Sequence, residues 1–112
     1  MKIAVSSTGD NLTDNVSDVF ARCSYFIIAE IENGEIKKTE AIKNESENQM
    51  GGAGISTAQL MAEKNVNAVI TKNVGPRALD VLKQFNIEIY SGEGAIKEVL
   101  KKFIDGKLEK MN

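Results

Sequence analysis

Gly51, Gly52 and Gly54 form a bare stretch of backbone directly before a segment of helical periodicity, "NQMGGAGISTAQLM" at 48–61. Glycines at such a place let a ligand approach main-chain N–H groups, and the open start of a helix favours negative charge. A second stretch of this kind is "TKNVGPRALD" at 71–80, where Gly75 stands before Pro76 at a first helical position and Lys72 and Arg77 add positive charge. The chemistry these residues support is retention of an anion by backbone donors and neighbouring cations. Each loop taken singly also reads as a plain turn or cap. Arg22 and Cys23 form a third candidate. A thiol beside a cation can become more acidic and act as a soft metal ligand, and a free cysteine equally well fills a core. Met50 offers a weak thioether donor or an exposed loop side chain.

The composition removes several alternatives. The 112 residues contain one cysteine and no histidine. A Ser/His/Asp triad, a Cys/His dyad and a His-bearing zinc site are therefore excluded, and so is an internal disulfide. A single thiolate cannot close a conventional iron–sulfur site within a monomer, since such sites take several thiolates. Any cluster must arrive preformed, use other donors or share a second chain. The net charge of -2 argues against nucleic acid and anionic membrane as partners, and the absence of Trp leaves few platforms for stacking a flat cofactor.

Asp10, Asp14 and Asp18 suggest metal-dependent phosphoryl chemistry only if carboxylates also stand on neighbouring elements. "NAVITKNVG" at 67–75 has none, so these acids read as solvated loop residues. "SSTGDNLTDN" at 6–15 is similar to a flavodoxin phosphate loop, but an antiparallel strand follows it where a long helix is required.

The elements that must position these residues follow from periodicity. "KIAVSS" (2–7) reads as a buried strand, "VSDVFARC" (16–23) as one or two helical turns, and "YFIIAEIE" (25–32) and "EIKKTEAIK" (35–43) as strands joined by an Asn33-Gly34 hairpin turn. A helix over about 54–65 should bury Ile55, Ala58, Met61 and Ala62. The strand 67–71 and a helix from Pro76 follow, with Leu79, Leu82 and Phe85 on its buried side. A strand at 87–90 precedes a last helix carrying Ile96, Val99, Leu100 and Phe103, ended by Gly106.

The hairpin makes the second strand antiparallel to its neighbours, and the strand–helix–strand units demand parallel crossovers. The economical solution is a single α/β domain over residues 1–112. It has a mixed five-stranded sheet of order 3-2-1-4-5, strand two antiparallel, with helices on both faces: a ribonuclease-H-like three-layer arrangement. Ligands of such sheets sit at the carboxyl ends of the parallel strands. There the loops after strands one, four and five should meet the glycines before the first helix. No targeting segment or membrane-length apolar run occurs, so a cytoplasmic location is expected.

With these segments in order, the chain resembles the nitrogenase iron–molybdenum cofactor biosynthesis family over nearly its whole length. "MKIAVSSTGDNL" is similar to the family's first strand and loop, "VFARCSYFIIAEIENGEI" to its Phe-Gly-Arg segment and hairpin, "GGAGISTAQLM" to its glycine-rich helix start, and "AVITKNVGPRALDVLKQFNIEIY" to its second half. The resemblance implies a ribonuclease-H-like fold and a non-enzymatic role in binding or carrying an iron–sulfur or iron–molybdenum type cofactor or its precursor, with a protein acceptor as second partner. Phe20, Arg22, Gly52 and Gly54 match the family's segments. Many members have His where Val19 and Ala53 stand, and Gly where Ala21 stands. The resemblance therefore leaves backbone donation around Gly52 and Gly54, charge from Arg22, and Cys23 as the one metal ligand, while Gly51, Gly75 and Arg77 join the candidate site from the reading of the loops alone. An interaction or regulatory module that has lost metal binding is the alternative, and a phosphate-ester hydrolase a further one.

Overall fold

A computed structural model describes all of residues 1–112. Its strands are β1 (Lys2–Ser7), β2 (Tyr25–Glu32), β3 (Glu35–Lys43), β4 (Ala68–Thr71), β5 (Glu88–Ser91) and β6 (Glu109–Lys110). Its helices are α1 (Ala53–Glu63), α2 (Pro76–Gln84) and α3 (Ile96–Ile104), with a short 3-10 turn at Phe20–Arg22. The sheet order is β3-β2-β1-β4-β5-β6. β1 is central, antiparallel to β2 and parallel to β4, and β4 is parallel to β5.

Alternation along the strands divides the core in two. Ala4, Phe26, Ile28, Val69 and Ile89 face Ala58, Met61, Ala78 and Leu82 of α1 and α2. Ile3, Val5, Ile27, Ala68 and Ile70 face Ile96, Val99 and Leu100 of α3. The central strands are thus buried on both faces, which is why their sequences are continuously apolar. Asn33 and Gly34 both have positive φ, 52° and 76°, as a tight two-residue hairpin requires.

All three helices end alike. Asn65, Asn86 and Gly106 adopt the left-handed conformation two residues past the helix. The next residues, Val66, Ile87 and Lys107, donate back to the carbonyls of Met61, Leu82 and Lys102. This double reversal satisfies terminal carbonyls, and after α1 and α2 it drops a buried residue into the α1/α2 side of the core.

Four expectations need correction. The sheet has six strands rather than five, because β6 pairs antiparallel with β5. β6 is two exposed residues with no alternation to read. Its neighbours secure it: Met111 N–H donates to Ile89 O at 2.7 Å, and the Asn112 side chain accepts from Ile89 N–H at 3.1 Å. Glu88 accepts from Tyr90 and Lys110, which holds its carboxyl below the usual range. The segment 16–23 makes only the 3-10 turn, since Val16 and Val19 form bridges to Ser7 and Asn73 instead. Phe85 stands past the last turn of α2 and is 51% exposed. Ile55 is only partly buried, and Ala53 and Thr57 take the inward positions at the start of α1.

Thr57 carries a consequence for stability. Its hydroxyl is fully buried and has no hydrogen-bond partner. An unsatisfied buried polar group costs about 1–3 kcal/mol, and Val is close to isosteric with Thr. Thr57→Val is expected to raise unfolding free energy by about 1 kcal/mol, read from urea unfolding. A loss of stability would show that the hydroxyl is satisfied.

Candidate functional site

The loops at the carboxyl ends of β1 and β4 are laced together. Phe20 N–H donates to Asn73 O at 3.0 Å and Asn73 Nδ2 to Asp18 O at 3.0 Å. Ser17 N–H donates to Ser6 O at 2.8 Å, and the buried Ser6 hydroxyl to that of Thr71 at 2.8 Å. Val16 N–H reaches Gly94 O at 2.8 Å and brings in the loop after β5. This rim fixes the 3-10 turn beside the starts of α1 and α2.

Between those three elements lies a groove of about 390 Å³. Arg22, Gly52, Gly54, Gly75 and Arg77 line it, with apolar walls from Val19, Ala21, Ile55, Pro76 and Ala78. It is lined by two cations and no acid. Gly51 stands just before the lining, in open space. Lys72 is turned elsewhere, 3.6 Å from both Asp18 and Glu93 on the other side of the rim.

Both helix starts present free donors. Gly52 (φ 70°) and Gly75 are the N-caps, neither helix has a side-chain cap, and neither has an acid in its first turn. The first helical bonds are Ser56 N–H to Gly52 O and Leu79 N–H to Gly75 O, each 3.0 Å. The N–H groups of Ala53, Gly54 and Ile55, and of Arg77 and Ala78, precede those ladders and have no acceptor. The two sets converge because Gly54 allows close approach. A Cβ built there would lie 3.3 Å from that of Ala78. The positive ends of two helix dipoles therefore share one groove. Arg77 adds to this field against the preference of its own helix, whose first turn favours acids.

Arg22 reaches across the groove's edge. Its Nη1 donates to Glu47 O at 3.2 Å and to Gln49 O. No sequence signal links residues so far apart, and that contact and the apolar walls Val19, Ile55 and Ala78 escaped the sequence reading.

Cys23 does not join the groove. It is 1% exposed, packed in the α1/α2 side of the core, and its thiol donates to Phe20 O at 3.3 Å. Burial pushes its pKa from 9.0 up to about 12, against smaller opposing effects from hydrogen bonds. Arg22, committed to the 47–49 carbonyls, does not acidify it. The native thiol stays protonated where the unfolded thiol ionises. Its contribution to stability is thus complete below pH 9 and is lost as pH rises toward 12. Unfolding free energy should fall by about 1.4 kcal/mol per pH unit across that window. Urea titrations of the wild type against Cys23→Ala isolate the effect, and parallel pH profiles would contradict it. No group of three or more Cys, Asp or Glu side chains is placed to hold a metal ion.

The chain matches, over residues 1–106, the family described as dinitrogenase iron-molybdenum cofactor. It is 45% identical over 111 residues to an uncharacterized protein of Methanocaldococcus jannaschii, a match covering 98% of this chain and 91% of that one. A second protein of the same organism is 33% identical over 115 residues, covering 100% of this chain and 95% of the other. Among solved structures, the apo form of the orange protein from Desulfovibrio gigas superposes with a TM-score of 0.90 at 26% identity, covering 98% of this chain and 92% of that chain.

Proposed function

The chain belongs to the dinitrogenase iron-molybdenum cofactor family, and from that premise we propose that its groove holds a preformed, anionic metal–sulfur cargo for a protein acceptor, without catalysing a reaction. The cargo class is an iron–sulfur or iron–molybdenum type cluster or its precursor. The observation that carries this reading is the convergence of two uncapped helix starts with Arg22 and Arg77 in a groove without acids. Sulfide and carboxylate groups on such a cargo accept from backbone N–H and guanidinium donors, while the apolar walls suit a weakly hydrated surface. The donor set fits an anion and not a bare metal ion, so metals arrive with their own sulfides. Gly52, Gly54, Gly75, Arg22 and Arg77 form the binding surface, Gly51 leaves its approach open, and Cys23 stands behind it. A structural relative described in an apo form, the orange protein, supports the same reading.

We read the sheet as ribonuclease-H-like, with its first five strands in the order 3-2-1-4-5. No helix is long and apolar enough to cross a membrane, and we place the protein's work in the cytoplasm. The test is anaerobic purification with iron, molybdenum and acid-labile sulfide analysis, and absorption spectra before and after cluster reconstitution. Stoichiometric metal and sulfide are expected. No uptake would favour the second reading, a protein-interaction module. Its support is Val19 and Ala53, which stand where the resembling family often carries His.

A further inference from the structure

The segment joining β3 to α1, residues 44–52, leads directly into the groove and is held to the body mainly by side chains. Asn44, 2% exposed, anchors its first residue: Nδ2 donates to Ala21 O at 3.0 Å and Cys23 O at 2.9 Å. Those two carbonyls flank Arg22. The side chain of Arg22 reaches back the other way, to the carbonyls of Glu47 and Gln49. The turn and the segment are therefore laced reciprocally, each gripping the other's backbone. Ser24 adds one tie to the Glu47 carboxylate at 2.7 Å. One main-chain bond ties the segment's start to the body, Asn44 N–H to Ser24 O at 3.0 Å, and past it the main-chain bonds are local, Glu47 N–H to Asn44 O and Gln49 N–H to Ser46 O. Beyond residue 49, Gln49 ties only to Gly51 O and Ser56 Oγ, and Met50 is fully exposed.

Only Nη1 of Arg22 is engaged. Nη2 and Nε have no protein acceptor, and the side chain lines the groove. A planar guanidinium can hold main-chain carbonyls with one amino group and an anion with the remaining donors, a division that a lysine ammonium cannot reproduce. We infer that Arg22, a ligand-contacting residue of the groove, couples occupancy of the groove to the order of residues 44–52. This rests on the groove being an anion site. Reciprocity then follows: whatever affinity the anion gains from a latched Arg22, the latch gains from the anion. The segment becomes better ordered when an anion binds and loosens on release.

Amide hydrogen exchange tests this in two arms, using wild type and Arg22→Lys, which keeps the charge. Without any ligand, exchange of the Glu47 and Gln49 amides, the hydrogen-bonded ones of this stretch, should be roughly tenfold faster in Arg22→Lys, the loss expected for about one net hydrogen bond. Equal exchange would overturn the latch. In the second arm, inorganic sulfate at low ionic strength serves as a simple dianion. It should shift the Gly54 and Ala78 amide resonances in both proteins and slow exchange of the Glu47 and Gln49 amides only in the wild type. Shifts without slower wild-type exchange, or equal slowing in both proteins, would overturn the coupling and leave the anion site standing. No shift with sulfate or with the reconstitution mixture would overturn the anion site and the coupling together, while the first arm still decides the latch.

Discussion

Gly75→Asp should make the protein more stable and, under the proposed function, unable to hold a metal–sulfur cargo. Gly75 is the N-cap of α2, with φ -71° and ψ 160°, a conformation open to any residue and suited to one preceding proline. A Cβ there meets nothing within 4 Å. An Asp carboxylate in that place accepts from the free N–H of Arg77 or Ala78 and complements the helix dipole. Replacing Gly also reduces the freedom of the unfolded chain. Together these contribute about 1 kcal/mol, a rise in Tm of roughly 4 °C for a chain of 112 residues. The same carboxylate fills donors that the cargo would use and sets a negative charge in the groove. Retention of metal and sulfide after anaerobic desalting should fall at least about 100-fold, since two hydrogen bonds to an anion are worth roughly 3 kcal/mol or more. Gly75→Ser, which caps without charge, should fall between. Undiminished retention in Gly75→Asp would remove this groove as the binding surface.

Arg77→Glu should show the same opposition of signs by a different cause. A cation in the first turn of α2 opposes the helix dipole by about 0.3–1 kcal/mol, and no acid in that turn offsets it. Charge reversal should therefore raise stability by up to about 1 kcal/mol. Toward a cargo of two negative charges, reversal at roughly 4 Å in near-aqueous surroundings amounts to a few kcal/mol. Retention is expected to fall about 100-fold at low salt, and less at high salt because the charges are exposed. Lower stability together with unchanged retention would show that Arg77 serves the fold. If both variants behave as stated, the groove is a place where the chain forgoes stability for binding, and an empty fold-keeping module would have no reason to retain that arrangement.

Much of the architecture was legible because it rests on local rules. β1, β2 and β3 begin and end where short apolar runs, the looser alternation of 35–43 and the Asn33-Gly34 turn place them, and Gly106 closes α3. Errors fell where local rules were silent. β6 has two residues and no period, and it exists because β5 offers an edge. Ile55 and Phe85 fit helical spacing yet are not core, because spacing tells which residues share a face and not whether another element covers it.

The candidate site divides the same way. Glycines before helices and arginines near them were visible one by one, since a residue type at a helix start has the same physics wherever the helix lies. That Gly54 meets Ala78, that Arg22 grips the carbonyl of Gln49, and that Cys23 points inward were decided only by packing. The sequence by itself determined the order of the elements from β1 to α3, the hairpin, the excluded chemistries and the pool of donors, all properties of short range or of composition. The tertiary structure decided which donors face one another across a groove and that the one thiol is sealed away. Those depend on contacts between residues distant in the chain, where no local period reaches.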